Sequence, residues 1–235
     1  MERLDKILSA QLGESRTEVK EYLKQGRVKV NGNVQKRYEF KVNPSCDQIE
    51  LDGRILVYRK YIYIMMNKPS GVLCSTRDGQ TDTVIDLVPG ELYRKNLSPA
   101  GRLDKDTEGF VFLTDDGEMC HKIISPKKDI IKTYIARINS SFLPKQKELL
   151  ESATIILDGK PVKKASFAAS ENDSCEVIVK ISEGRFHQIK RMFLAAGLEV
   201  TYLKRISIGG LELDESLGLG KCREVSALEL MRIMQ

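Results

Sequence analysis

The chain has 235 residues, enough for a small domain and a larger one, and its 41% hydrophobic and 30% charged residues are ordinary for a folded globular protein. The longest apolar run, from Tyr61 to Met66, is far shorter than the roughly 20 residues of a membrane-spanning helix, and no apolar signal-peptide core follows Met1. Five widely spaced cysteines without a CxxC pair, and only two histidines, argue against disulfides or structural zinc, so we expect a cytoplasmic protein.

The first part of the chain contains two predicted helices and a strand. Apolar residues recur at helical spacing from Leu4 to Leu12. Ser15-Arg16-Thr17-Glu18 is a capping box that begins a second helix, and Gly26 is suited to end it. Val28 and Val30 then alternate as in a strand, and Asn31-Gly32 is a tight-turn signal.

Positive charge is concentrated in the second helix and the segment that follows it. Residues 15–37 contain seven basic and two acidic side chains, and this excess of 7 − 2 = +5 equals the net charge of the whole chain. Five of the basic residues form one ridge along the helix and past its end: Arg16, Lys20, Lys24, Arg27 and Lys29. A solvated helix face is the alternative, but the single sign of the ridge favours contact with nucleic acid.

The same region resembles the small RNA-binding domain named after ribosomal protein S4. The segments that carry the resemblance are Arg3-Leu4-Asp5-Lys6, Ser15-Arg16 and Gly26-Arg27-Val28-Lys29-Val30-Asn31-Gly32. The resemblance implies an α/β RNA-binding domain over residues 1–52. The side chains that it implies in RNA binding are Arg3, Arg16, Lys20, Lys24, Arg27, Lys29 and Asn31.

A predicted linker at residues 53–60 leads to a second domain over residues 61–235. We expect strands at 61–67, 110–114, 132–138, 154–157, 175–181 and 199–204, and helices at 117–124, 143–152, 186–196 and 226–234. Several strands with a few interspersed helices argue for an α+β fold.

The most informative segment is a charged loop between two glycines. It reads Gly101-Arg102-Leu103-Asp104-Lys105-Asp106-Thr107-Glu108-Gly109 and continues into an apolar strand. By composition it is either an active-site loop beside a rigid strand or an exposed surface loop. It closely resembles the signature of pseudouridine synthases that modify single sites of ribosomal RNA, with apolar replacements at residues 110–112 where leucines are usual. The resemblance implies that Asp104 is the catalytic residue.

Three further segments extend this resemblance. Lys132-Thr133-Tyr134 resembles the motif that supplies the active-site tyrosine, and residues 183–193 resemble the motif whose basic residue, here Lys190, pairs with the aspartate and keeps it ionised. A lysine at this position can form an ion pair with the aspartate, but it cannot form the two parallel hydrogen bonds that an arginine makes. Leu203-Lys204-Arg205-Ile206 resembles the segment that closes the base pocket, with Leu203 on the uracil face. Substrate contacts are implied for Arg102, Leu103, Arg185, Gln188, Leu203 and Arg205.

The resemblance covers nearly the whole chain and implies a mainly antiparallel synthase domain that isomerises one uridine in ribosomal RNA. Cys74-Ser75-Thr76, Thr114-Asp115-Asp116-Gly117 and Ser125-Pro126-Lys127 look most like the branch that modifies 16S RNA of the small subunit. The reaction needs no redox step or external energy, so we expect no cofactor and no nucleotide. We expect a monomer whose partner is ribosomal RNA or an assembling small subunit. We expect no association with a membrane.

Three alternatives remain open from the sequence. The target could be large-subunit RNA, or the chain could be a ribosome-assembly protein that binds RNA without catalysis. It could also be a metal-dependent phosphoesterase or nuclease that uses Asp104 and Asp106, with Asp115 and Asp116, to hold magnesium. For Asp106 a turn or salt-bridge role is the simpler interpretation.

Overall fold

The computed structural model describes all residues from Met1 to Gln235, and these residues form two compact units. The N-terminal unit comprises Met1–Ile62 together with Pro89–Leu97, and the main unit comprises Tyr63–Val88 and Ser98–Gln235. None of the helices combines the length and the apolar character that crossing a membrane requires.

The N-terminal unit packs two helices against short strands. Its elements are β1 (Glu2–Arg3), α1 (Leu4–Leu12), α2 (Arg16–Lys24), β2 (Val28–Val30), β3 (Asn33–Val34), β4 (Lys41–Val42), β5 (Ile49–Leu51) and β6 (Arg54–Leu56). Strands in the order β3-β2-β5-β6 form an antiparallel sheet, and β1 pairs with β4. The core residues are Leu4, Ile7, Leu8, Val19, Leu23, Val28, Val30, Val42 and Ile49.

The two helices predicted in this unit are confirmed, and so is the capping box between them. The Ser15 hydroxyl accepts from the Glu18 amide at 3.3 Å, and the Ser15 amide donates to the Glu18 carboxylate at 2.8 Å. Gly13 follows α1 with a φ of 72°, in the left-handed region that glycine adopts without steric cost. A glycine in the left-handed conformation therefore ends α1, and a side-chain capping box begins α2.

Residues 53–60, predicted as a linker, lie within the N-terminal unit. Residues 54–56 form β6. The side-chain amide of Gln11 donates to the backbone carbonyl of Arg59 at 2.9 Å and accepts from the backbone amide of Arg59 at 3.0 Å. Arg94, in the Pro89–Leu97 segment, donates to the same carbonyl at 3.1 Å. The unit boundary falls after Ile62, and the sequence carries no local signal that assigns residues 89–97 to this unit.

The main unit is built on one large sheet. The strands of this unit are β7 (Tyr63–Lys68), β8 (Ser98–Pro99), β9 (Glu108–Thr114), β10 (Lys132–Ile138), β11 (Ile156–Leu157), β12 (Lys160–Pro161), β13 (Ser166–Ala169), β14 (Glu176–Ile181), β15 (Val200–Ile208), β16 (Leu211–Glu212) and β17 (Cys222–Glu224), and all but β11 and β12, which pair with each other, belong to the sheet. Its helices are α3 (Gly117–Ile124), α4 (Pro144–Glu151), α5 (Gln188–Ala195) and α6 (Ala227–Arg232), with a 3-10 turn at Pro126–Lys128.

The central strands run in the order β13-β14-β10-β15-β9-β7-β17, and every adjacent pair is antiparallel except β15 with β9. The α+β class and the mainly antiparallel sheet are therefore confirmed. A core cluster beneath the sheet includes Met65, Phe110, Phe112, Ile123, Ile208 and Ile233.

Most of the elements predicted for this unit are present, with shifted ends. The predicted helix 117–124 matches α3, whereas the one predicted from residue 186 begins at Gln188 because His187 has a left-handed φ of 49°. The strand predicted at 154–157 is reduced to β11, and the one predicted to end at 204 continues to Ile208.

Candidate active site

Asp104 lies on the loop that joins β8 to β9, and a buried lysine holds this loop in place. Lys68 is fully buried, and its ammonium donates to the backbone carbonyls of Pro69, Lys105 and Thr107 at 3.0, 3.1 and 2.8 Å. Burial lowers the Lys68 pKa, which the neighbouring carboxylates oppose. Three carbonyls around one ammonium fix the backbone on both sides of Asp106, two residues beyond Asp104.

The Asp104 carboxylate faces the start of α5. Lys190 Nζ is 3.8 Å from Asp104 Oδ2, and His187 Nε2 is 3.7 Å from Asp104 Oδ1. The hydrogen bonds of Lys190 go instead to Asp106, at 2.6 and 2.7 Å, and they lower the pKa of that carboxyl. Lys190 thus stands between two carboxylates, at ion-pair distance from Asp104 and in direct contact with Asp106.

A cavity of about 750 Å³ opens beside Asp104. Tyr134 on β10 and Arg205 on β15 are partners in the strand register, and both line this cavity. Leu203 lies two residues before Arg205, so it projects from the same face of the sheet, and it also lines the cavity. The cavity therefore has an aromatic ring, an apolar side chain and a buried guanidinium along one wall.

Arg205 is buried and fixed from two sides. Its Nε donates to the Phe110 carbonyl at 2.7 Å and its Nη1 donates to the Tyr134 hydroxyl at 3.4 Å, while Nη2 is buried without a hydrogen-bond partner. Arg205 pairs with Gly109 in the parallel β15–β9 contact. Gly109 has a φ of +97°, and a Cβ there would clash with the Arg205 backbone, so a glycine is required where these strands meet.

The other predicted substrate residues divide into two groups. Arg102 is exposed at the cavity, with no hydrogen bond or ion pair to the rest of the protein, and Leu103 is a buried part of the cavity wall. Arg185 and Gln188 also line the cavity, but their polar atoms are engaged within the protein. Arg185 donates to the carbonyls of the β11–β12 hairpin, and the Gln188 amide bonds Glu183 at 2.9 Å and the Arg185 backbone at 2.9 Å.

Comparison with known proteins identifies the family of this chain. Residues 62–195 match the family described as RNA pseudouridylate synthase, and residues 2–49 match the S4 domain. The chain belongs to the RNA pseudouridylate synthase family.

Known relatives match this chain over nearly its whole length. A Bacillus subtilis protein described as an uncharacterized RNA pseudouridine synthase is 42% identical over 97% of this chain and 96% of its own length. Proteins named ribosomal small subunit pseudouridine synthase A are 40% identical in Vibrio vulnificus, over 97% of each chain, and 36% identical in Escherichia coli K12, over 99% and 100%. A crystal structure of a pseudouridylate synthase is 34% identical with a TM-score of 0.69, over 99% and 100%.

Two lysines of the chain itself, Lys68 and Lys132, were not identified as site residues from the sequence. Lys68 anchors the Asp104 loop, as described above. Lys132 lines the cavity two residues before Tyr134 and donates to the Ile123 carbonyl at 3.0 Å. Burial lowers the pKa of Lys132 to about 8, and the nearby Arg205 charge acts in the same direction. Lys132 stands in the motif that contains Tyr134, but nothing in the sequence indicated that either of these two charged side chains is buried.

In the S4 domain, four of the seven predicted RNA-binding residues bond within the protein. Arg3 forms a two-point ion pair with Asp5, Lys24 pairs with Glu21, and Arg27 forms a two-point ion pair with Asp52. The Asn31 amide bonds the Asp47 carboxylate and the Gln48 backbone. Arg16 and Lys29 are exposed without an ion pair, and Lys20 lies 4.4 Å from the centre of the Tyr38 ring.

The acidic residues considered for a metal site have other partners. No group of three or more His, Cys, Asp or Glu side chains is arranged to hold a metal ion. The Lys190 ammonium bonds Asp106 and approaches Asp104, and Asp116 caps α3 through one oxygen while the other accepts from the Tyr63 hydroxyl at 2.8 Å. These contacts do not favour the magnesium-dependent nuclease alternative.

Proposed function

We propose that this protein isomerises one uridine of small-subunit ribosomal RNA to pseudouridine, with Asp104 as the catalytic residue. The observation that carries the proposal is the position of Asp104, on an anchored loop at the mouth of a cavity that Tyr134 also lines. The relatives named ribosomal small subunit pseudouridine synthase A, which match over nearly the full length, support the choice of target.

The reaction rearranges the nucleotide without changing its composition. The bond between ribose C1′ and uracil N1 breaks, the base turns, and a bond forms between C1′ and C5. The proton on C5 then leaves and N1 regains a proton, so the atoms balance without an oxidant or an external group. A cavity that encloses the detached base fits this chemistry, because the uracil must turn without escaping.

The roles assigned to the side chains follow from their positions. Asp104 acts on the base or on the sugar, by addition or by proton abstraction. Lys190 places a positive charge 3.8 Å from the Asp104 carboxylate, opposite the place of the substrate's reacting atoms. Tyr134 stacks on the uracil and assists removal of the C5 proton, which is ultimately replaced by one on N1, while Arg205 donates to the Tyr134 hydroxyl and Leu203 packs against the base.

RNA binding extends beyond the cavity. Flipping the uridine out of the RNA costs a few kcal/mol, which contacts elsewhere must offset. The unpaired Arg102 guanidinium is suited to a phosphate beside the flipped nucleotide, and the basic side chains of α2 and the following strand are suited to structured RNA. We propose a monomer that acts in the cytoplasm on free ribosomal RNA or on an assembling small subunit.

The test is to incubate the protein, without nucleotide, with small- and large-subunit RNA transcripts and with partly assembled particles. Pseudouridine is then mapped by carbodiimide labelling and primer extension. One new stop in small-subunit RNA, lost with Asp104→Asn, is the expected result. A stop found only in large-subunit RNA would refute the target while leaving the chemistry, and tight RNA binding without any stop would favour the assembly protein instead.

A further inference from the structure

An exposed aromatic pair stands at the mouth of the cavity. Phe186 is 70% exposed, and its ring stacks on that of His187 with 3.8 Å between centroids and 17° between planes. Both residues line the cavity, and His187 Nε2 is 3.7 Å from Asp104. Exposure alone is common for single apolar residues: Leu194, on the helix α5 that follows this turn, is 69% exposed. The stacking and the place beside Asp104 distinguish Phe186 from Leu194.

The backbone that carries this pair is anchored. The Phe186 carbonyl accepts from Arg191 Nη1 at 3.2 Å, and Arg191 itself forms a two-point ion pair with Asp158 at 2.9 and 3.1 Å. His187 precedes α5 in the left-handed conformation, with a φ of 49°, which histidine adopts more often than most residues. The aromatic pair is therefore presented to solvent by a braced turn, as a preorganised binding surface requires.

One face of the Phe186 ring is covered by His187, which leaves a flat apolar surface beside the cavity. The ligand chemistry that fits a flat, neutral surface of this size is another planar ring. When a uridine is flipped into the cavity, the bases next to it lose a stacking neighbour. Aromatic side chains on nucleic-acid-binding proteins stack on such bases with little dependence on sequence.

We propose that Phe186 stacks on the unpaired RNA base adjacent to the target uridine and so holds the flipped nucleotide in place. The contact is with the neighbouring base, because the target uracil must reach Asp104 and Tyr134 inside the cavity, while Phe186 remains at its rim. His187 supports the ring from behind. This inference rests on the proposed function, since it requires that a nucleotide be extruded from RNA into this cavity.

The test compares three replacements of one side chain. Phe186→Leu keeps an apolar side chain without a flat ring, Phe186→Ala removes it, and Phe186→Trp enlarges the ring. On a small-subunit RNA fragment that spans the mapped uridine, Phe186→Leu and Phe186→Ala should lower kcat/KM about tenfold or more, which is the size of one base stack, and Phe186→Trp should stay close to wild type. Leu194→Ala is the matched control with equal exposure and should change kcat/KM less than twofold.

A second readout locates the contact. With 2-aminopurine on either side of the uridine, fluorescence at one of the two positions should be lower in the wild-type complex than in the Phe186→Leu complex. The stacking role would be overturned, while the proposed function stands, if Phe186→Leu kept the wild-type kcat/KM. The same conclusion would follow if, at each 2-aminopurine position, the wild-type and Phe186→Leu complexes had the same fluorescence. An inactive wild-type protein would refute the proposed function, and this inference with it.

Discussion

Lys190 stands between Asp104 and Asp106, and its ion pair with Asp106 bears out the salt-bridge role expected for that residue. The ammonium lies 3.8 Å from the proposed catalytic oxygen and 2.6 Å from Asp106. A lysine can move between two acceptors because it carries a compact charge on a flexible chain, whereas an arginine makes a fixed fork. Asp106 thus takes the hydrogen bonds of the ammonium while Asp104 lies 3.8 Å from it.

Lys132 provides a prediction for pH dependence. Its pKa in the folded protein is about 8, against 10.5 ordinarily, because burial disfavours the ammonium. Between these two pH values the unfolded chain binds the proton and the folded chain does not, so the wild-type free energy of unfolding gains a contribution as the pH rises through this window. Lys132→Met has no such group and lacks this gain.

The measurement is urea unfolding of both proteins between pH 7 and pH 10.5. The difference in unfolding free energy, wild type minus Lys132→Met, should become more positive from about pH 8 upwards. Lys128→Met is the control, because Lys128 is exposed, and its difference from wild type should stay flat. A flat difference for Lys132→Met as well would show that this lysine does not titrate in the window.

At the scale of elements, the parallel contact between β9 and β15 depends on Gly109. Replacing it with alanine forces a Cβ into the Arg205 backbone at a positive φ, so we expect Gly109→Ala to lose about 3 kcal/mol or more of stability. Gly79→Ala is the control, since nothing lies within 4 Å of the added atom and its φ is not in the left-handed region. Thermal melting distinguishes them, and equal melting temperatures would contradict the requirement for glycine.

The basic ridge on α2 and β2 makes a second prediction at this scale. Arg16 and Lys29 have no ion pair, whereas Arg27 is held by Asp52. A residue that neutralises one phosphate contributes about 0.7 to 0.9 to the salt slope of RNA affinity. We expect Arg16→Ala and Lys29→Ala each to reduce the slope by about that amount, and Arg27→Ala to change it less and to lower the melting temperature. A slope unaffected by the first two variants would remove them from the RNA contact.

What could be predicted from the sequence depended on how local the signal was. The capping box at Ser15 and the apolar spacing that follows it define α2 within a few residues, and α3 is equally clear. Strand β13 was missed because its four residues, Ser166–Ala169, carry no clear alternation. Motif resemblance predicted a pair formed by Asp104 and Lys190, and the structure places the two charged groups 3.8 Å apart. The resemblance could not show that Asp106 takes the hydrogen bonds of Lys190, because that contact depends on how distant segments pack.

At the scale of the whole molecule, the chain crosses between its two units more than once. Residues 89–97 are separated in sequence from Met1–Ile62 but belong to the same unit. Arg94 in this segment is buried, and its guanidinium donates to the Arg59 carbonyl and to the Gln11 side chain, both at 3.1 Å. Residues 89–97, which lie in sequence between the two segments of the main unit, thus complete the N-terminal unit. Cutting the protein at residue 60 would therefore not separate two intact domains.

Arg94→Met tests this arrangement, because it removes hydrogen bonds from a buried charged group while keeping most of the side-chain volume. Each such bond contributes about 2 kcal/mol, so amide exchange through local opening should become at least about 30-fold faster in the N-terminal unit, which is the effect of losing one of the two bonds. Exchange in β9 and β10 of the main unit should not change. Lys95→Met is the neighbouring control, exposed in the structure, and should leave both units at wild-type rates. Faster exchange confined to β9 and β10 would instead assign residues 89–97 to the main unit.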